Sequence, residues 1–156
     1  MKRLALLRHA KTERDSSSGR DFDRQLTERG LNDGRKLGRE LRRLEVSFDL
    51  VLSSPAKRAV ETIEAVGMAA NLDPRIYDGS AGDLLSIIQE TDDAISSLML
   101  VGHNPGFEYL ASRLTGGHVG MRTGTIIEIE FPIDRWENVG AGIGRMLRNI
   151  RGKDLG

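Results

Sequence analysis

Two arginines and two histidines in this chain stand at or just beyond the ends of short apolar runs. Leu4–Leu7 stops at Arg8-His9. Leu50–Leu52 stops at Ser53-Ser54-Pro55, with Arg58 three residues on, and Leu98–Val101 stops at Gly102-His103-Asn104-Pro105. The planar fork of a guanidinium matches the oxygens of a phosphate, and an imidazole changes charge near neutral pH. Gathered in one place, these groups describe a pocket for a dianion, with phosphate the best fit. The sequence has no acidic cluster suited to a metal ion, so side chains must supply the positive charge. No cofactor is expected.

The elements around these residues must bring them together. The three apolar runs are short, do not alternate, and end in polar or turn residues, as parallel strands covered on both faces do. Leu31, Gly34, Leu37, Leu41 and Leu44 recur at helical spacing, with Thr27 placed as an N-cap. A second helix is expected from Ser54-Pro55 to about Gly67, with Ser54 as its cap. Leu84, Leu85, Ile87 and Ile88 mark a third, and Asn104-Pro105 opens a fourth towards Leu114. A short strand is expected at Arg75–Tyr77. Thr125–Phe131 alternates, with Glu128 and Glu130 facing away from Ile127, Ile129 and Phe131. Arg145–Ile150 reads as a strand beside it, with a short helix as the competing reading. Gly30, Gly34 and Gly38 suggest close approach of helix and sheet, and Trp136 reads as packing.

Strands alternating with helices give an α/β fold: a three-layer sandwich whose mainly parallel central sheet has helices on both faces and an antiparallel edge. With 156 residues and no linker, the expectation is a single domain over 1–156. In open sheets of this kind ligands bind at the carboxyl ends of the strands. All four charged or imidazole groups fall at that edge, beside helix N-termini that favour anions.

Composition narrows the classes further. Lys plus Arg equals Asp plus Glu at 23 each, so no global basic field attracts nucleic acid or a membrane surface. Cysteine is absent, which removes disulfides, thiolate chemistry and zinc–cysteine sites. Only four apolar residues separate Met1-Lys2-Arg3 from Arg8, too few for a secretory core. No apolar run approaches the ~20 residues of a membrane helix. A cytoplasmic monomer is expected.

Arg8-His9-Ala10, the run Ser53-Ser54-Pro55-Ala56-Lys57-Arg58-Ala59-Val60-Glu61-Thr62, and Val101-Gly102-His103-Asn104-Pro105 resemble, in order, three signature segments of the histidine phosphatase superfamily, whose fold is phosphoglycerate mutase-like. The chain's small size and Asp23–Gly30 look most like the bacterial SixA-type phosphohistidine phosphatases. The similarity runs from Leu4 to Phe131, and Arg151–Leu155 resembles that group's closing segment. The resemblance implies that His9 is the nucleophile and that Arg8, Arg58 and His103 hold the phosphoryl oxygens. Arg24 matches a further arginine of the pattern, and Asn104 is placed to bind the same phosphate. His9 must be neutral at its attacking nitrogen, whereas a cationic His103 would be more useful.

Two departures stand out. Gln25 replaces a proline usual in the Arg-Pro-Leu-Thr segment, and no residue clearly matches the acidic proton donor of the mutase branch. Asp21, Asp78 and Asp83 are the candidates. A nitrogen-linked phosphate needs a strong general acid less than an alkyl ester does, so the gap favours phosphohistidine. The short interval from Tyr77 to Leu98 leaves no room for a mutase-like lid over a metabolite, so the pocket is open to a protein surface. A phosphorylated histidine-phosphotransfer protein is the expected partner. The alternatives are a small-molecule phosphomonoesterase and a non-catalytic phosphate or phosphopeptide binder.

Overall fold

The computed structural model describes residues 1–156. Six strands form one sheet: β1 (Lys2–Arg8), β2 (Leu50–Ser53), β3 (Asn71–Leu72), β4 (Ser97–Gly102), β5 (Thr125–Phe131) and β6 (Arg145–Arg151). Their spatial order is β3-β2-β4-β1-β5-β6. The first four in that order run parallel, while β5 pairs antiparallel with both β1 and β6. The mainly parallel sheet with an antiparallel edge is therefore present.

Four helices cover it: α1 (Glu28–Arg43), α2 (Lys57–Val66), α3 (Ala81–Gln89) and α4 (Gly106–Thr115). Strand alternation divides the apolar run at the start of the chain between two cores. Leu4 and Leu6 join Leu98, Leu100, Leu84, Ile88, Phe107 and Leu110 on the α3–α4 face. Ala5 and Leu7 join Met99, Val101, Leu37, Leu41 and Ile63 on the α1–α2 face. Each large aliphatic side chain buried this way contributes about 1.5–3 kcal/mol. Trp136 is fully buried in the first core, and its indole N–H donates to Ile95 O at 2.8 Å.

Local signals explain the helix ends. Thr27 Oγ1 accepts from Gly30 N at 3.0 Å, capping α1 as its sequence position predicts. Gly67 ends α2 in the left-handed conformation.

Three expectations are corrected. Residues Pro74–Ile76 form a 3-10 turn, not a strand; the short strand lies at Asn71–Leu72. Pro74 has no N–H to give a ladder, and Asp73 accepts from Arg75 N to start the turn. Helix α2 begins at Lys57, with Ala56 rather than Ser54 at its N-cap. Two of the three repeated glycines serve helix against helix: a β-carbon on Gly34 would stand 2.7 Å from Ala65 Cβ of α2, and one on Gly38 would strike Val66 O, whereas one on Gly30 would strike the Lys11 backbone just after β1. The alternation of β5 holds, with Ile127, Ile129 and Phe131 in one core and Glu128 on the other face, where it is buried at 2% exposure between Arg3 (2.6 Å) and Arg148 (2.5 Å) of the flanking strands.

Candidate active site

Strand register brings the key segments side by side. Arg8 pairs with Gly102, and Ser53 pairs with Val101, so His9, Ser54 and His103 leave three adjacent strands at one edge. Ser54 N donates to Val101 O at 2.9 Å and His9 N to Gly102 O at 3.1 Å, which extends the ladder one step beyond the strands. Thr62, fully buried on α2, accepts from Ala10 N at 3.0 Å and donates to Arg58 O at 2.7 Å. That bridge fixes the start of α2, and with it Arg58, against the turn after His9.

His9 and His103 face each other with ring centroids 5.3 Å apart. His9 is 7% exposed, and its Nδ1 lies 2.8 Å from Ala10 O. A carbonyl can only accept, so Nδ1 carries the proton and Nε2 holds the lone pair. Burial pushes the His9 pKa down to about 4; the Ala10 bond opposes this, and the positive charges of Arg58, Arg8 and Arg24 add to it. A neutral imidazole with a free Nε2 is a nitrogen nucleophile at neutral pH.

His103 departs from expectation. Burial first, then Arg58 and His9, push its pKa down to about 3, so the free protein holds it neutral rather than cationic. Its Nε2 is 2.7 Å from Ser54 Oγ.

Arg8 donates from Nη1 to Met121 O at 2.8 Å. Arg58, 6% exposed, donates from Nη1 to Asp21 O at 2.8 Å and from Nη2 to Asp21 Oδ2 at 3.0 Å. Four buried side-chain nitrogens in the molecule have no hydrogen-bond partner; three of them are Arg8 Nε, Arg58 Nε and His103 Nδ1. Buried polar atoms are ordinarily paired, so their concentration in these three side chains marks a site built to receive acceptor oxygens.

Arg24 and Asn104 are tied to protein atoms. Arg24 donates to Glu13 O (2.9 Å), Asp21 Oδ1 (2.8 Å) and Thr12 Oγ1 (2.5 Å). Asn104 Nδ2 donates to Met121 O at 2.8 Å, the same carbonyl that accepts from Arg8.

The three acidic candidates separate. Burial is the largest single influence on Asp21 and raises it, but hydrogen bonds from Tyr77, Arg24 and Arg58 together outweigh it and hold the carboxyl well below the usual range. At neutral pH it has no proton to give. Asp83 lies in the capping box of α3, where it accepts from Ser80 N at 3.0 Å while Ser80 Oγ accepts from Asp83 N at 3.1 Å. Asp78, exposed and in a left-handed conformation (φ 56°), lines a hollow of about 230 Å³ with His103, Asn104, Ser80 and Tyr109.

Tyr77 was absent from the sequence candidates. Its ring stands edge-on to His103 at 5.7 Å, Arg58 lies 5.9 Å from its centroid, and its hydroxyl donates to Asp21 Oδ2 at 2.8 Å. No periodicity marks it, because its role is fixed by the turn that replaces the expected strand.

A fold that brings two imidazoles, the buried Arg58 guanidinium and the half-buried Arg8 to one sheet edge agrees with the family comparison. The profile of the histidine phosphatase superfamily (branch 1) matches residues 4–92. The chain belongs to that superfamily, and the comparisons support a phosphatase. An uncharacterized chloroplastic protein of Arabidopsis thaliana is 36% identical over 152 residues, covering 87% of this chain and 69% of the relative. The phosphohistidine phosphatase SixA of Escherichia coli is 30% identical over 120 residues, 72% of this chain and 73% of that protein. The solved structure of a protein histidine phosphatase SixA complexed with tungstate superposes with TM-score 0.83 at 23% identity, covering 97% of this chain and 98% of that one. Its likeness establishes the shared fold.

Proposed function

We propose that this chain hydrolyses phosphohistidine on a protein, through a phosphoryl group carried transiently on His9. The observation that carries the reading is the set of orphaned nitrogens on Arg8, Arg58 and His103 beside a neutral His9. His9 Nε2 attacks phosphorus as the bond from phosphorus to the substrate nitrogen breaks. Arg8, Arg58 and His103 hold the three remaining oxygens, in keeping with the positioning and charge stabilisation that phosphoryl transfer chiefly needs. Water then attacks the same phosphorus, the bond to Nε2 breaks, and inorganic phosphate leaves with His9 restored.

The clamp is made of guanidinium and imidazole groups, and no three His, Cys, Asp or Glu side chains come together as a metal site would require. The substrate class follows from the leaving group. Asp21 is held as a carboxylate and Asp83 is engaged in a cap, which leaves only exposed Asp78 as an acid near the hollow. A leaving imidazole nitrogen depends less on a strong acid than an alkoxide does. Similarity to SixA of Escherichia coli supports the same substrate class.

The test compares kcat/KM for a phosphorylated histidine-phosphotransfer domain with that for a panel of sugar and aryl phosphates. A clear preference for the phosphohistidine protein is expected. A preference for a sugar phosphate would move the chain to the small-molecule esterases, and phosphate binding without turnover would make it a binding module.

A further inference from the structure

We propose that Ser54 is a positioning residue for His103: its hydroxyl donates to Nε2 and holds the ring in the Nδ1–H tautomer. As a serine before proline, Ser54 has the look of a helix cap, yet α2 begins three residues later, at Lys57. Ser54 is completely buried, so its hydroxyl needs partners inside the protein. Two are present. Oγ accepts from Ala56 N at 3.2 Å, and it lies 2.7 Å from His103 Nε2.

The proton count then decides the tautomer. Ala56 N is a donor, so it cannot take the hydroxyl proton. That proton goes to Nε2, since a buried hydroxyl hydrogen without an acceptor would be costly. A ring that accepts at Nε2 is neutral and carries its own proton on Nδ1. Nδ1 is buried and without a protein partner. Ser54 therefore turns His103 from a ring with two interchangeable nitrogens into one fixed donor. The groups facing the ring are His9, Arg8, Arg58, Asp21, Tyr77 and Asp78, and none is bonded to either ring nitrogen. The use of that donor on a phosphoryl oxygen rests on the proposed function; the tautomer itself does not.

Long-range proton–nitrogen NMR correlation on the intact protein at neutral pH reads the tautomer directly, with His103 signals assigned by their loss in His103→Gln. Nδ1 is expected to be protonated and Nε2 unprotonated. A protonated Nε2, or an averaged pair, would overturn the proposal without any variant of Ser54. In Ser54→Ala the two nitrogens should average, with kcat on p-nitrophenyl phosphate lowered roughly tenfold and KM little changed. Ser54→Thr should recover both the tautomer and most of the rate; equal losses in the two variants would contradict it. Wild-type protein with the expected tautomer but no turnover would fail the proposed function and leave the Ser54 assignment standing.

Discussion

The carboxylate of Asp21 receives two side chains that otherwise repel each other: Arg58 at 3.0 Å and Arg24 at 2.8 Å. Tyr77 adds its hydroxyl at 2.8 Å. Asp21 thus orients Arg58 end-on, through Nη1 and Nη2, and leaves Nε of the same fork without a partner. Its part in the site is to hold the clamp, and the first prediction separates that from proton donation. Asp21→Asn keeps an acceptor oxygen and should retain most of kcat, whereas Asp21→Ala should lower kcat/KM by about tenfold. Equal, large losses in both, with the basic limb of the pH profile abolished, would instead make Asp21 an acid.

The pH dependence is set by the imidazoles. With the His9 pKa lowered to about 4, the neutral nucleophile is present throughout the range above it. The acid limb of kcat/KM should therefore fall near pH 4, well below the ordinary histidine value of about 6.5. A limb near 6.5 in the pH–rate profile would contradict a buried, neutral His9.

Stability should depend on the same groups. The folded pKa values of His9 and His103, about 4 and about 3, lie below the unfolded value, so the unfolded chain binds more protons between the two. Stability is then fully present above about pH 6.5 and is lost as pH falls through about 4 for His9 and on to about 3 for His103, at a cost on the order of a few kcal/mol. Urea midpoints from pH 7 to 4 measure this, and His103→Gln should flatten the slope.

Thr62 offers a test of the bridge between α2 and the turn after His9. Thr62→Val keeps the shape but leaves the buried Ala10 N–H without its acceptor. A loss of about 1–3 kcal/mol is expected, together with a fall in kcat as Arg58 loosens; Thr62→Ser should restore both. Chemical denaturation and steady-state kinetics check the two effects separately.

Packing of α1 on α2 depends on the absence of a side chain at Gly38. The nearest atom to an added β-carbon is the Val66 carbonyl oxygen, which is backbone and cannot rotate away. Gly38→Ala should destabilise by about 1–3 kcal/mol despite alanine's better helix propensity. An unchanged or raised Tm would show that the two helices separate freely.

Legibility in the sequence varies with the range of the interaction. The three buried strands and the polar residues at their carboxyl ends are local features: an apolar run ending in a charge is visible at once, as at Leu7-Arg8. Parallel strand order implies a common edge for Arg8, His9 and His103, and the register shows those strand ends side by side, while Arg58 reaches them from α2. Through-space partners are not visible in a linear pattern. Ser54 looks like a cap because Ser before Pro usually is one, and only the neighbouring strand reveals that its hydroxyl has an imidazole to serve. Glu128 alternates like a solvent-facing residue, yet arginines from both neighbouring strands bury it. The neutrality of His103 arises from burial and from Arg58, neither of which sequence spacing can convey.

The most direct test is to trap the transferred phosphoryl group. Rapid quenching into alkali during turnover of a labelled phosphohistidine protein, with peptide mapping of the product, should place the label on His9, and His9→Ala should lose both label and turnover. Label on another residue, or undiminished hydrolysis by His9→Ala, would contradict the account.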